Sequence, residues 1–185
     1  NAARVNTVDE VMGWEGAGAK CYFDALKSLF KQDLGFRGRV KRPPTDPVNA
    51  MLSFCYTLLF NRVLSAVQIA GLDPFLANLH GNEDRRPSLA LDLMEEFRPL
   101  LVDQVVMGLV NRMQVTVQDF FPVEGKGIRM KEGALALLVK QFQARLNDPV
   151  PHPVNGLSFA FKDILIQQAW QYKSVVFGER ETYLP

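Results

Sequence analysis

With 185 residues, 48% of them hydrophobic and 22% charged, the chain has the length and composition of a soluble globular protein with one sizeable core or two small ones. A net charge of +1 excludes a global pull toward nucleic acid, so any such binding must come from local patches. Cys21 and Cys55 lack metal-ligand spacing and read as buried free thiols of a reducing, cytoplasmic compartment. The start of the chain is polar, without the pattern of a signal peptide. The longest apolar stretch, Ala50 to Phe60, is far short of the ~20 residues of a membrane span, so no membrane partner is expected.

Thr7 and Glu10 form a capping-box pattern that predicts a helix to about Phe30. Its middle, G-W-E-G-A-G-A at 13–19, sets Glu15 among glycines that each cost about 1 kcal/mol against Ala. Tight helix packing with Glu15 in solvent is one reading; close approach of a ligand is the other. Gly35 to Arg42 is a basic segment, read as a connector in preference to a phosphate contact. Asp46-Pro47 supplies an N-cap and first helical residue, and Gly71 a C-terminal stop, for a central core helix to about Ala70. Asn49, Ser53 and Tyr56 form a polar strip along it, expected to bond to neighbouring elements.

His80 and the mixed-charge loop 83–87 lead to a helix that Ser88 is expected to cap. Its period gathers Leu89, Ala90, Leu93, Met94 and Phe97 on one face and Asp92, Glu95 and Glu96 on the other. Acids at this spacing repel one another, and Arg98 offsets that only in part. Pro99 marks a bend, followed by a helix from Leu100 to about Gln118. Gly125-Lys126-Gly127 predicts a small basic hairpin over 121–131 carrying Lys126, Arg129 and Lys131. Helices at 132–146 and 157–176 follow, separated by a Pro-rich loop in which His152 reads as exposed and structural. The fold class is mainly α: a helical, bundle-like single domain with one small β-hairpin.

Carboxylates with one imidazole suit Mg²⁺ or Mn²⁺, and open coordination positions suit phosphodiester chemistry. A solvated acidic face explains the same acids without a metal.

Several separated blocks together resemble one family: G-W-E-G (13–16), Y-F (22–23), P-V-N-A-M-L-S-F-C-Y-T-L-L (47–59), G-L-D-P (71–74), L-H (79–80) and R-P-S-L-A-L-D-L-M-E-E-F-R-P (86–99), with Y-L-P after Gly178. The family is the CRISPR-associated integrase, the spacer-acquisition nuclease of the CRISPR adaptation module. The resemblance implies that residues 1–185 are its C-terminal helical catalytic domain, without the family's N-terminal β domain. It implies metal ligands Glu15, His80 and Glu95, with Asp92 in support and Glu96 an alternative ligand. Arg98 and the loop residues Arg85 and Arg86 are the implied DNA contacts. The implied chemistry is Mg²⁺- or Mn²⁺-dependent cleavage of DNA and integration of new spacers, a 3′-hydroxyl attacking a phosphodiester. The implied partners are double-stranded DNA (spacer precursor and CRISPR repeat), a second copy in a homodimer, and a small adaptation-module protein. A non-catalytic helical DNA-binding or scaffolding domain, or an unrelated helical metal-dependent phosphohydrolase, would share many of these features.

Overall fold

The computed structural model describes residues 8–75, 87–151 and 156–185. The element order is α1 (Val8–Ser28), α2 (Pro47–Ile69), α3 (Ser88–Met94), a 3-10 turn (Glu95–Phe97), a π-helical turn (Arg98–Asp103), α4 (Gln104–Asn111), a second 3-10 turn (Val117–Asp119), β1 (Phe120–Val123), β2 (Gly127–Met130), α5 (Glu132–Asn147), β3 (Pro149–Pro151), β4 (Ser158–Ala160) and α6 (Phe161–Val176). The mainly helical class and the hairpin are as the sequence pattern predicts. The chain divides into two compact units, Asn1–Ser53 with Val106–Ala136, and Phe54–Val105 with Leu137–Pro185. Thr7 and its capping box, His80, Arg85, Arg86 and His152 lie outside the described residues.

In the first unit, Leu34, Phe36, Val48, Met51, Leu52, Leu109 and Val110 are buried. Asp46 caps α2, its Oδ1 accepting the Asn49 backbone N–H at 2.9 Å, and Pro47 fills the first helical position where an N–H has no helical partner. The hairpin pairs Phe120 with Met130 and Phe121 with Arg129. Gly127, at φ +70°, lies so close to Pro44 that a Cβ there would meet the Pro44 carbonyl oxygen at 2.2 Å.

In the second unit, Cys55, Leu59, Val67, Leu89, Leu101, Val102, Leu138 and Phe142 are buried. Where α2 ends there, Gly71 has φ +72°, its N–H bonds the Gln68 carbonyl at 2.9 Å and the Leu72 N–H bonds the Val67 carbonyl at 3.1 Å. This pair of bonds is the Schellman arrangement expected of a glycine there. By length and composition α2 is long and apolar enough to cross a membrane, which the shorter uninterrupted run in the sequence does not suggest. Half of its most apolar window is buried inside the protein, as in a core helix. Cys55 is buried as expected, and burial, with Asp103 nearby, pushes its thiol pKa well up. Cys21 is exposed, because α1 presents that stretch to solvent, and corrects the expectation of two buried thiols.

Further expectations are corrected. Ser88 does not cap α3: it is the first helical residue, after Pro87, and no side-chain cap is present. The Leu89 N–H is satisfied instead by the Pro74 carbonyl at 3.0 Å. Pro99 does not end the helix, because the chain tightens and then widens its turn there. The helix that follows stops at Asn111 rather than Gln118, in a Schellman pair whose left-handed residue is Met113 at φ 53°. A second ribbon, β3 with β4, occupies part of the expected Pro-rich loop and shortens the last helix at its start. Pro149 and Pro151 disguise it, since proline signals loops yet is tolerated at strand edges where no N–H is needed.

A side chain at positive φ costs roughly 1–2 kcal/mol, and Met113 is 69% exposed with little packing to lose. Met113→Gly is therefore expected to stabilise the protein by about 0.5–1 kcal/mol after the entropy cost of glycine. An upward shift in the urea midpoint checks this; a downward shift would show that the methionine packs usefully.

Candidate active site

The acidic stretch is built on a helical run whose apolar face is buried as the period predicts: Leu89, Ala90, Leu93, Met94 and Phe97. Of the acids, Asp92 is half-buried and Glu95 exposed. Glu96 departs from the expected solvated face. It follows buried Leu89 by seven residues, nearly two whole turns, and so stands at the border of the apolar stripe. Tyr183 Oη donates to its Oε1 and Gln168 Nε2 to its Oε2, the latter at 3.2 Å. Burial raises the Glu96 pKa, and these two donors oppose the rise without cancelling it. Glu96 is thus tied into a half-buried network of two neutral donors, whereas Glu95 stands exposed.

Glu95 is held by Arg98, whose Nη1 donates to both carboxylate oxygens. The guanidinium of Arg98 lies 4.5 Å from the centre of the Tyr56 ring. Tyr56 Oη in turn donates to buried Asp103 at 2.6 Å. Burial works against the Arg98 charge, but the Glu95 bonds, with Tyr56 and Asp103, hold its pKa above the ordinary guanidinium value. Arg98 Nε is buried with no hydrogen-bond partner among the described residues, a donor to which a phosphate oxygen is suited. Sequence reasoning placed Arg98 but missed Tyr56 and Asp103 as its supports. The polar strip on α2 was the available signal for Tyr56.

Residues 183 and 184 pack against Glu96 and α6. Gln171 Nε2 donates to the Leu184 carbonyl at 3.0 Å and its Oε1 accepts the Leu184 N–H at 3.0 Å. Gln168 Nε2 also reaches the Leu184 carbonyl, at 3.1 Å. Tyr183 packs edge-to-face on Tyr172, and burial together with Glu96 pushes its phenol pKa well up. Gln168 and Gln171 are buried on α6, so the tail is clasped by an amide pair with few alternative partners. Nothing in the sequence reading anticipated this clasp.

Glu15 is exposed on α1, beside Trp14 at 56% exposure. A Cβ at Gly13, Gly16 or Gly18 would meet no atom within 4 Å among the described residues, so packing among those residues does not account for these glycines. Glu15 belongs to the first unit and Glu95 to the second. Among the described residues no three His, Cys, Asp or Glu side chains converge on a metal position. As a donor set, two carboxylates and an imidazole fit Mg²⁺ or Mn²⁺ in chemistry. For Glu95 to serve as a ligand, Arg98 has to release at least one of its oxygens.

Several known proteins resemble this chain in sequence and in fold. The family description "CRISPR associated protein Cas1" matches residues 1–144. CRISPR-associated endonuclease Cas1 3 of Thermus thermophilus is 41% identical over 184 residues, covering 100% of this chain and 55% of that protein. CRISPR-associated endonuclease Cas1 of Leptospira interrogans is 35% identical over 185 residues, covering 98% of this chain and 72% of that protein. The chain belongs to the CRISPR-associated protein Cas1 family. A casposase bound to its integration product has the same fold, with a TM-score of 0.89 at 25% identity over 97% of this chain and 51% of that one. A Cas1 protein from Thermotoga maritima superimposes with a TM-score of 0.87 at 27% identity, over 100% of this chain and 57% of that one. The chain thus spans about half the length of most of the curated relatives and solved structures it matches.

Tyr183→Phe removes a donor from a half-buried carboxylate and is expected to destabilise the protein by about 1–3 kcal/mol. It should also raise the Glu96 pKa further, since the phenol bond lowers it. A carboxyl whose folded pKa exceeds its unfolded one stabilises the protein fully below the unfolded value and loses that contribution as pH rises through the folded pKa. In Tyr183→Phe that loss should move to higher pH. Carbon-13 titration of the Glu96 carboxyl reads this directly, and an unmoved titration would mean the bond is not made in solution.

Proposed function

We propose that residues 1–185 act as the C-terminal helical catalytic domain of a CRISPR integrase and nuclease, inserting new spacer DNA into a CRISPR array. The observation that carries the reading is the likeness to a casposase bound to its integration product, over nearly the whole chain and with the family's acid and histidine blocks present. The names of the relatives as endonucleases support the nuclease half.

In this reading Glu15, His80 and Glu95 hold Mg²⁺ or Mn²⁺, with Asp92 in support. The bound ion would polarise a phosphoryl oxygen and stabilise charge on the oxygens that enter and leave. The remaining work falls to the chain. Arg98, braced on Tyr56, turns its unpaired Nε and the donors released by Glu95 toward the phosphate. Arg85 and Arg86 hold the adjoining backbone. A 3′-hydroxyl oxygen of the incoming strand attacks phosphorus and forms the new P–O bond. The existing P–O3′ bond breaks, and the displaced 3′-oxygen takes a proton. One phosphodiester is exchanged for another, so no external energy source is needed. Water in place of the 3′-hydroxyl gives cleavage.

The expected partners are spacer-precursor and repeat DNA, a second copy, and a small adaptation-module protein, in the cytoplasm. Two neighbours of this fold are described as Cas6-RT-Cas1–Cas2 complexes, which supports a partner of the Cas2 kind. The ion pair between Glu95 and Arg98 also suits a non-catalytic DNA-binding scaffold, and mutation separates the two readings. In the full-length protein, Glu15→Ala or His80→Ala should reduce strand transfer at least a hundredfold, with helical content unchanged by circular dichroism, and EDTA should do the same to the wild type. Integration that survives either substitution would leave only the scaffold reading. Replacing Arg85, Arg86 and Arg98 by Gln should lower the salt slope of DNA binding by up to about 3; an unchanged slope would exclude them from phosphate contact.

A further inference from the structure

Two basic segments far apart in sequence are joined in the first unit, and the site described above uses neither. The segment 36–44 holds Arg37, Arg39, Lys41 and Arg42, and the hairpin segment 120–131 holds Lys126, Arg129 and Lys131, with Glu124 the one acid in either. The Pro44 carbonyl accepts the Ile128 N–H at 2.8 Å, so the C-terminal end of the first segment meets the edge of β2. Lys41 and Arg42 are within three residues of that bond, hence within about 11 Å of it even at full extension.

The first segment is anchored rather than loose. Buried Asn49 uses its whole bonding capacity on this unit: its Oδ1 accepts from Arg39 Nη1 at 2.9 Å and from the Val40 N–H at 2.9 Å, and its Nδ2 donates to the Gly38 carbonyl at 2.8 Å and to Asp46 Oδ2 at 2.6 Å. Arg39 Nη2 also donates to Ser53 at 3.0 Å. Arg37 is paired with Asp33 at 3.0 Å. That leaves Lys41 and Arg42 presented beside the hairpin, both exposed, as are Lys126, Arg129 and Lys131. On the hairpin, Arg129 lies directly across from exposed Phe121, while Phe120, across from Met130, is buried. Exposed Arg129 and Phe121 thus share one side of the ribbon, with exposed Lys126 in the turn and exposed Lys131 just beyond β2.

We infer that this ribbon face is a docking surface for the sugar-phosphate backbone of duplex DNA, read without regard to sequence and separate from the acidic helix. A pre-anchored row of cations neutralises phosphates and releases their counterions at little ordering cost. The long side chains of Lys and Arg suit phosphates spaced along a groove edge. Within the proposed integrase the surface would hold the duplex flanking the reacting bond. The inference rests on that reading for its choice of duplex DNA, but its test does not depend on catalysis.

The test is binding of a random-sequence duplex to the full-length protein in EDTA, titrated with salt. Lys126→Gln, Arg129→Gln and Lys131→Gln together should lower the slope of log affinity against log salt by about 2 to 3 and weaken binding roughly tenfold or more at 0.15 M salt. Lys41→Gln with Arg42→Gln should do the same by up to about 2, from the other segment. Glu124→Lys should tighten binding and steepen the slope, a gain that misfolding does not imitate. Unchanged slopes in all three variants would overturn the inference while leaving the active-site reading intact. Unchanged duplex binding with lost affinity for polyglutamate would assign the surface to an acidic protein and overturn it as well. Conversely, lost duplex binding in the ribbon variants would stand even if the Glu15 and His80 variants kept strand transfer.

Discussion

The second unit depends on how the chain carries Pro99 through an unbroken helical run. A proline has no N–H to give, and its ring collides with the carbonyl four residues back, here that of Glu95. The collision is avoided because the Glu95 carbonyl is taken one residue early: the Arg98 N–H reaches it across a 3-10 turn. A π-helical turn, Arg98–Asp103, then supplies the extra width. The same detour turns the side chains that matter. Arg98 sits over Tyr56 and against Glu95, Asp103 meets the Tyr56 hydroxyl, and the Leu100 carbonyl is satisfied by Arg145 Nε at 3.1 Å. A regular α-helix through the same residues would project them differently.

Buried polar side chains do the remaining organising. In the first unit Asn49 gathers the basic segment onto α2, and in the second Gln168 and Gln171 hold the tail against Glu96. Each sits where an unmet donor or acceptor would cost about 1–3 kcal/mol, so each admits few arrangements. The acids of the helix end up with distinct environments for this reason. Glu96 is drawn into a network and raised in pKa, whereas Glu95 keeps an exposed carboxylate with a single guanidinium partner. An exchangeable partner of that kind suits a carboxylate proposed to alternate between an arginine and a metal ion.

Much of the helical layout was legible because it rests on local rules. Asp46-Pro47 and Gly71 bracket α2 through bonds that a cap and a left-handed glycine make wherever they occur. The apolar face of α3 and the glycine turn of the hairpin follow from period and turn chemistry. The errors fall where distant parts of the chain intervene. Ser88 has the right chemistry for a cap, but the Pro74 carbonyl already serves the helix start. Pro149 and Pro151 read as loop because their pairing with 158–160 cannot be seen from either segment alone.

For the candidate site, the sequence alone determined the residue types and their order: Glu15 among glycines, His80, and a run of acids ending in Arg98. It also determined the family, since several separated blocks agree in order and distance. Which carboxylate is committed, which arginine is braced, and which loop becomes a surface were decided only by tertiary structure. Glu95 and Glu96 are neighbours with the same chemistry, and no local rule distinguishes them; Tyr183, 87 residues away from Glu96, does. The basic segment and the basic hairpin are likewise separate charge runs until the Pro44 carbonyl meets the Ile128 N–H. Hydrogen bonds between residues remote in sequence have no local signature, because their geometry exists only after the chain has folded.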